Sequence, residues 1–469
     1  MAFDPQEKPL ATLLAPDILD LLEENPASVA AETEELHPAD LADVAELIPR
    51  EQVAAFLAAL GHARAADLLE YLNEDLRNDL LEEIPTSQAA ALVSQMTPDD
   101  RADALETLEH QVAEDIVSEL PAEARAETEK LLQYEPDTAG GLMTTEFVSV
   151  SEEMSVDEAI NAVRALARSG RKEATYAIYA TGKDGTLEGV LSLRELLGAA
   201  PGAKIADVAR SEIVSVTPQT DRQEVARITA NYDLIAVPVV SESGHLMGVV
   251  TVDDVIDVIE EEQTEDVQKM GGMEALDEPY TTINFWSMIR KRGGWLTALF
   301  LGEMLTATAM GHFQGEIERV TLLALFVPLI ISSGGNSGSQ ATSLIIRALA
   351  LRELKLSDWW RVALRELPSG LALGIMLGTV GIVRILVWQS IGWYDYGEHY
   401  WLVAFTVGVA LVGVVTFGTL AGSMLPFLLK KLGFDPASAS APFVATLVDV
   451  TGLIIYFTVA LLILRGTLL

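Results

Sequence analysis

Within the apolar stretch from Ala441 to Leu464 a single residue can ionise, Asp449. The stretch is long enough to cross a bilayer, which takes about 20 residues at helical rise. A carboxylate at that depth costs roughly 2.5–3.5 kcal/mol even on lenient insertion scales, so it must face a polar interior and not lipid. Ala445, four residues earlier, leaves that face open, and Thr446 adds a hydroxyl one turn away. Two kinds of chemistry are open to such a group. It is either a structural acid capped by a neighbouring helix or a cation site on a permeation path. A second polar constellation interrupts an earlier apolar segment, Pro328-Leu-Ile-Ile-Ser-Ser-Gly-Gly-Asn-Ser-Gly-Ser-Gln340. Glycines at 334, 335 and 338 among hydroxyls and amides predict a break in the helix, tolerated at membrane depth only where protein or a watery cavity satisfies the backbone. The freed carbonyls, with Asn336, Ser339 and Gln340, would then contact a hydrated ion. The plainer alternative is that these glycines only let helices pack closely.

Carboxylates are also dense in the amino-terminal part. Asp99 and Asp103 lie four residues apart, on one face of a helix. Taken alone, such a pair is simply solvated. From Thr251 to Lys269 a helical stretch places Val255, Ile256, Val258 and Ile259 on an apolar stripe and acids on the remaining face. So many like charges on one helix repel unless cations or partner groups neutralise them. Gly271-Gly272 ends that helix.

The elements that must hold these groups fall into two contrasting halves. The chain has 469 residues and a formal net charge of −38. From Phe285 onward there are 13 Lys+Arg and 10 Asp+Glu; the first 284 residues hold 18 and 59. An acidic soluble half therefore precedes an apolar, slightly basic membrane half. Nucleic acid is excluded as a natural partner, because phosphate binding needs clustered Lys and Arg. Dense carboxylates favour hard cations such as magnesium or calcium, besides keeping the half soluble. The absence of cysteine excludes disulfides and thiolate metal sites, and the first thirty residues carry no signal-peptide core.

Residues 1–137 read as short amphipathic helices, with related units at His37–Ile48, Met96–Leu108 and Leu120–Leu132. Each has a proline at or near its first turn, where the missing N–H costs nothing, and acids beside it, where the helix dipole favours them. Stacked units of this kind make an all-α superhelical domain. Glu135-Pro-Asp-Thr-Ala-Gly-Gly141 breaks the pattern. Strands and helices then alternate, twice. Val148-Ser-Val150 is echoed by Val214-Ser-Val216, Tyr176–Ala180 by Ile235–Val240, and Gly189-Val-Leu-Ser-Leu by Gly248-Val-Val-Thr-Val. This α/β repeat resembles a tandem pair of CBS domains, 138–208 and 209–258. That resemblance implies a possible adenine nucleotide such as ATP in their clefts, although no residue alone marks it. An acidic connecting helix and linker follow at 253–284, and an α-helical membrane domain at 285–469.

Five apolar segments are predicted to span the membrane: about Trp295–Met310, Leu322–Ile346, Leu367–Trp388, Leu402–Leu428 and Phe443–Leu464. Basic residues precede the first (Arg290, Lys291, Arg292), and lie between the second and third and between the fourth and fifth. The alternate loops hold acids and aromatics. The positive-inside rule therefore places the soluble half in the cytoplasm and the carboxyl end outside.

The motifs Pro328…Gly334-Gly-Asn-Ser-Gly-Ser-Gln340, Arg347-Ala-Leu-Ala, Asp435-Pro-Ala…Pro442 and Ala445-Thr-Leu-Val-Asp449-Val-Thr-Gly452 resemble the MgtE family of magnesium channels, as does the order of domains. The resemblance covers nearly the whole chain. It implies a homodimer in the bacterial inner membrane with a pore on the two-fold axis. A Mg2+ site would form at Asp449 with Ala445, Gly334, Gly335, Asn336, Ser339 and Gln340 nearby. It further implies that cytosolic Mg2+ bridges acids of the three soluble elements and closes the pore. The matching positions are Asp99, Asp103, Glu146, Asp233, Asp254, Asp257, Glu262, Glu265 and Asp266. The sequence departs from the family pattern at Gln223, where a ligand is acidic, and at Ser339, where an amide is usual; Glu303 has no counterpart. The rival readings are an ion-coupled secondary transporter of divalent cations, using Asp449 as coupling acid, and a non-transporting membrane-anchored metal or nucleotide sensor. No Ser/His/Asp arrangement, Walker loop or zinc-ligand cluster points to an enzyme.

Overall fold

The computed structural model describes residues 8–168, 177–276, 280–281 and 283–468. Tyr176, with which one strand of the first repeat was expected to begin, lies outside the described residues. The chain divides into two units, Met1–Glu260 and Glu261–Leu469. The division falls inside one helix, Val252–Met270, the connecting helix.

The first unit begins with short stacked helices. Pro38 and Pro98 open their helices at the first position, and the His37 ring nitrogen accepts the Ala39 N–H to cap one of them. In the third unit Pro121 stands one residue outside the helix, which begins at Ala122. The core of this stack is aliphatic, with Leu41, Val53, Phe56, Leu68 and Leu69 fully buried. The pattern-breaking segment after Tyr134 is pinned to the second α/β repeat. Ala139 N–H donates to the Thr220 carbonyl at 2.7 Å, and Gly140 N–H to that of Pro218 at 2.9 Å.

The α/β part holds β1 (Val148–Ser151), β2 (Ala177–Thr181), β3 (Leu187–Ser192), β4 (Ala236–Val240) and β5 (Leu246–Thr251). β1 runs parallel to β2, which pairs antiparallel with β3; β4 pairs antiparallel with β5. The two hairpins are copies. Ala180 faces Gly189 in one and Val239 faces Gly248 in the other, and the register slips just beyond that pair in both. The counterpart of β1 in the second repeat shrinks to one parallel bridge, Val216 to Val239. Each second strand leads into a helix through the same device. Ser192 and Glu195 form a reciprocal capping box, and the Thr251 N–H and hydroxyl both donate to Asp254. On the connecting helix Val255 and Val258 are buried as the stripe predicts, but Ile256 is 57% exposed. The buried arc is narrower than its sequence pattern.

The second unit contains five long helices: Phe285–His312, Leu322–Ala350, Trp359–Ser390, Tyr400–Lys431 and Ala441–Leu464. Among the described residues four helices are long and apolar enough to cross a membrane, and Phe285–His312 is not one of them. Its three basic residues, Glu303 and several glycines and threonines dilute its apolar character.

The predicted break in the glycine stretch does not occur. Leu322–Ala350 is one continuous α-helix that carries Pro328 inside it. The glycines serve a close crossing instead. A methyl built on Gly418 would stand 2.3 Å from the Gly334 carbonyl oxygen, and one on Gly422 2.2 Å from that of Gly338. Two small-xxx-small pairs thus bring the backbones of these helices into contact, the way membrane helices gain packing without a hydrophobic drive. Hydroxyls seal the crossing: Ser337 and Thr419 lie 2.7 Å apart, and Thr342 donates to the Gly422 carbonyl at 2.9 Å. A similar stripe, Gly370, Gly374 and Gly378, lets Trp359–Ser390 approach Thr416, Val412 and Gly408 on the same central helix.

Candidate functional site

The membrane candidates assemble where the terminal helix, Ala441–Leu464, lies along the glycine helix, Leu322–Ala350. Ser440 caps the terminal helix, accepting the Phe443 N–H, and Pro442 occupies its first turn. Gly334 is buried against Val448, and Gly338 against Val444. Gly335 faces Ala445, with a methyl there 3.6 Å from the alanine Cα. The Ser339 hydroxyl donates to the Ala441 carbonyl at 3.3 Å. Asn336 and Gln340, one turn apart, are both exposed, on a face that this packing leaves uncovered. Asp449 is half-buried, one turn beyond Ala445. Among the described residues no side chain forms a hydrogen bond or ion pair with its carboxylate. Because the helix is intact, the carbonyls of 334–340 are committed to it. Side chains, not freed backbone, are what this region offers a cation.

The soluble candidates divide between the two units. In the first, Asp99 and Asp103 share a helix, Pro98–Glu106, with Asp100. Thr97 organises its start. Its N–H donates to Glu70 Oε1 at 3.2 Å and its hydroxyl to Asp100 Oδ2 at 2.6 Å. Asp99 is 4% exposed, and its Oδ1 has no hydrogen-bond partner among the described residues. Burial, then the charge of Asp100, pushes its carboxyl up to about 7. Glu70 rises to about 7 through burial, then Asp100. Asp103 rises to about 7 for the same reasons, with Asp99 adding to them, although water reaches it more freely than Asp99. Asp254, at the mouth of the connecting helix, is raised by burial and by Asp99, while Thr251 holds it in the helix cap. Asp257 is raised by burial and Asp253. Arg77 is the cation whose charge reaches Asp103 and Asp100. Glu146 lies near enough to Glu70 and Arg101 for its charge to be felt at both. Asp233 sits apart, exposed, as the left-handed cap of Arg222–Tyr232; Gln223 lies in the first turn of that helix, its N–H donating to Asp221.

In the second unit Asp266 is pushed up to about 6 by burial, Asp435 and Glu262. Lys269 binds Asp435 at 2.7 Å and also Glu265. Among the described residues no three carboxylate or imidazole groups converge as a fully protein-coordinated metal would require.

Sequence reasoning missed Glu70, Asp100, Arg77 and the Lys269–Asp435 pair. Asp100 was legible as the neighbour of Asp99. Glu70 carries no local signal: only the stacking of two helices, some thirty residues apart in sequence, brings it to Thr97.

Residues 327–459 match the MgtE family, described as a divalent cation transporter; residues 36–137 match the MgtE intracellular N domain; 139–202 and 205–261 match CBS domains. The chain is 45% identical over 342 residues, 73% of each chain, to the magnesium transporter MgtE of Thermus thermophilus. Two solved structures resemble its soluble part. One is the soluble part of a magnesium transporter (TM-score 0.51, 31% identity, covering 54% of this chain and 99% of that one). The other is the cytosolic domain of the Mg2+ channel MgtE in complex with ATP (TM-score 0.50, 37% identity, covering 52% and 100%).

Proposed function

Since the chain belongs to the MgtE family of divalent cation transporters, a transporter class and not an enzyme class, we propose that it conducts Mg2+ through the membrane as a channel closed from inside by the same ion. The observation that carries this reading is Asp449: a carboxylate with no hydrogen-bond or ion-pair partner among the described residues, on the most apolar helix, one turn beyond Ala445, which packs against Gly335. Mg2+ demands near-octahedral oxygen ligation and sheds water reluctantly. An acid flanked by small residues can hold such an ion through its hydration shell and release it again.

In this reading 1–137 and the CBS pair (138–208, 209–258) are the sensor, 253–284 the coupling element, and 285–469 a five-span conduction domain. Two copies meet on a two-fold axis in the inner membrane, with the sensor cytoplasmic and the carboxyl end outside. The crowded acids Asp99, Asp103, Asp254 and Asp257, with Glu146 and Asp233, and on the connecting helix Glu262, Glu265 and Asp266, attract cytosolic Mg2+. Neutralising them favours the compact, closed arrangement, and their mutual repulsion opens it when the ion is scarce. An adenine nucleotide in the CBS clefts would bias the same equilibrium; the ATP complex of a similar cytosolic domain supports this reading.

The test is Mg2+ flux into proteoliposomes, wild type against Asp449→Ala, at low Mg2+ on the sensor side. Loss of flux with the protein still folded is expected. Undiminished flux in the variant, or uptake that requires a proton gradient, would overturn the channel reading, and no flux in either protein would return the chain to a sensor.

A further inference from the structure

Glu303 has no role so far, yet the packing carries it to the candidate ion site. Helix Phe285–His312 runs alongside the terminal helix with its contacts in step. The Trp295 indole N–H donates to Ser440 Oγ at 3.2 Å, a methyl on Gly302 would stand 3.1 Å from Thr446 Cγ2, and Phe313 stacks on Phe457 with centroids 5.0 Å apart. The last two contacts share one offset, so the helices are parallel and in register there. Glu303 is then level with Leu447, two residues from Asp449, or roughly 3 Å of helical rise. The two carboxylates lie close enough for their charges to interact. Among the described residues Glu303 has no hydrogen-bond or ion-pair partner either. No Lys or Arg occurs in 295–310 or 441–464. Two acids at one depth, one of them on the most apolar helix and neither with a counter-charge among the described residues, are costly unless a cation between or beside them supplies it.

We infer that Glu303 is a second carboxylate of the ion path, acting with Asp449 to favour a hydrated divalent cation. The inference rests on the reading of Asp449 as the conduction site. It assigns Glu303 to specificity: its charge deepens the attraction for a dication about twice as much as for a monovalent ion, because the interaction scales with ionic charge.

The experiment is a Mg2+ titration of flux in proteoliposomes for full-length wild type, Glu303→Gln, Glu303→Asp and Asp449→Ala, with K+ as the competing monovalent ion. Glu303→Gln keeps shape and removes charge. It should raise the half-saturating Mg2+ about three- to tenfold, a loss of about 0.7–1.4 kcal/mol, and make flux more sensitive to K+, while Glu303→Asp recovers most of the affinity. A merely structural Glu303 would lower the melting temperature without moving half-saturation. A Glu303→Gln titration that overlays wild type, with Asp449→Ala inactive, overturns this inference and leaves the conduction reading standing. An Asp449→Ala protein that conducts normally overturns the reading beneath it. If Glu303→Gln is not recovered folded, the charge-removing Glu303→Ala decides: a half-saturation raised relative to Glu303→Asp supports the assignment and one equal to wild type overturns it.

Discussion

Asp99, Asp100, Asp103 and Asp254 crowd one another in the soluble unit, each made harder to ionise by burial and most of them by neighbouring acids. Asp449, in the membrane unit, has among the described residues no hydrogen-bonded partner and one other acid, Glu303, within electrostatic reach. The difference is between many acids in mutual electrostatic reach and a pair of them on neighbouring helices. A crowded cluster gains most when a dication arrives, so its occupancy can drive a change of shape. A sparse site binds through a few contacts and lets go quickly. On the proposed function the first is suited to sensing and the second to passage, although both use the same side chain. Their surroundings differ in the same sense. The cluster sits on short helices held by caps and aliphatic packing, whereas Asp449 sits beside glycine crossings in which backbone meets backbone.

The comparison breaks most sharply at Asp449 itself. Asp449→Ala should reduce Mg2+ flux to the level of empty liposomes while leaving Mg2+-dependent protease protection of the soluble unit unchanged; loss of both would mean the two sites are not separable. Next in size, Gly422→Ala drives a methyl into the Gly338 carbonyl. It should destabilise the membrane unit by about 1–3 kcal/mol, read as a lower melting temperature in detergent with the soluble unit's protection unaltered. The cluster has its own signature in pH. Asp99, Asp103 and Glu70 hold protons in the folded state up to about pH 7, whereas unfolded carboxyls release theirs near pH 4. The folded form therefore binds more protons across that window, and stability without Mg2+ should fall as pH rises from about 4 to 7 and level off above it. Asp103→Asn should flatten the slope, and added Mg2+ should restore stability above pH 7; a stability that rises through the window would contradict the cluster. The smallest effect is expected at Lys269, whose pairs with Asp435 and Glu265 are partly exposed. Lys269→Gln should cost no more than about 1 kcal/mol in thermal unfolding, while raising the affinity of that acidic patch for Mg2+ in a titration followed by intrinsic fluorescence.

The glycine stretch shows where a local reading goes astray. Gly334, Gly335 and Gly338 among polar residues look like broken backbone, because in isolation glycine weakens a helix. The helix persists because the partner, Gly418-x-x-x-Gly422, repays continuity with a close crossing. That partner is more than eighty residues away, and pattern within one segment does not reveal it. The first apolar segment is the reverse case. Its helix formed as the sequence implied, while Glu303 and the basic residues at its start keep it outside the apolar class of the other four.

The sequence alone determined the kinds of element and their order. Charge asymmetry separated soluble from membrane halves, prolines marked the short helices, and the duplicated Gly-Val-x-(Ser/Thr)-x endings announced twin hairpins whose register and slip prove identical. Those properties are local, set by a residue and its near neighbours. Tertiary structure alone decided which acids meet. Glu70 joins Asp99 and Asp100 through the stacking of helices, Asp254 is both helix cap and cluster member, Ile256 is left outside, and Glu303 comes level with Asp449 because Trp295, Gly302 and Phe313 fix the register of two helices. Coulomb energies depend on distance through space, and only the packed chain sets that distance.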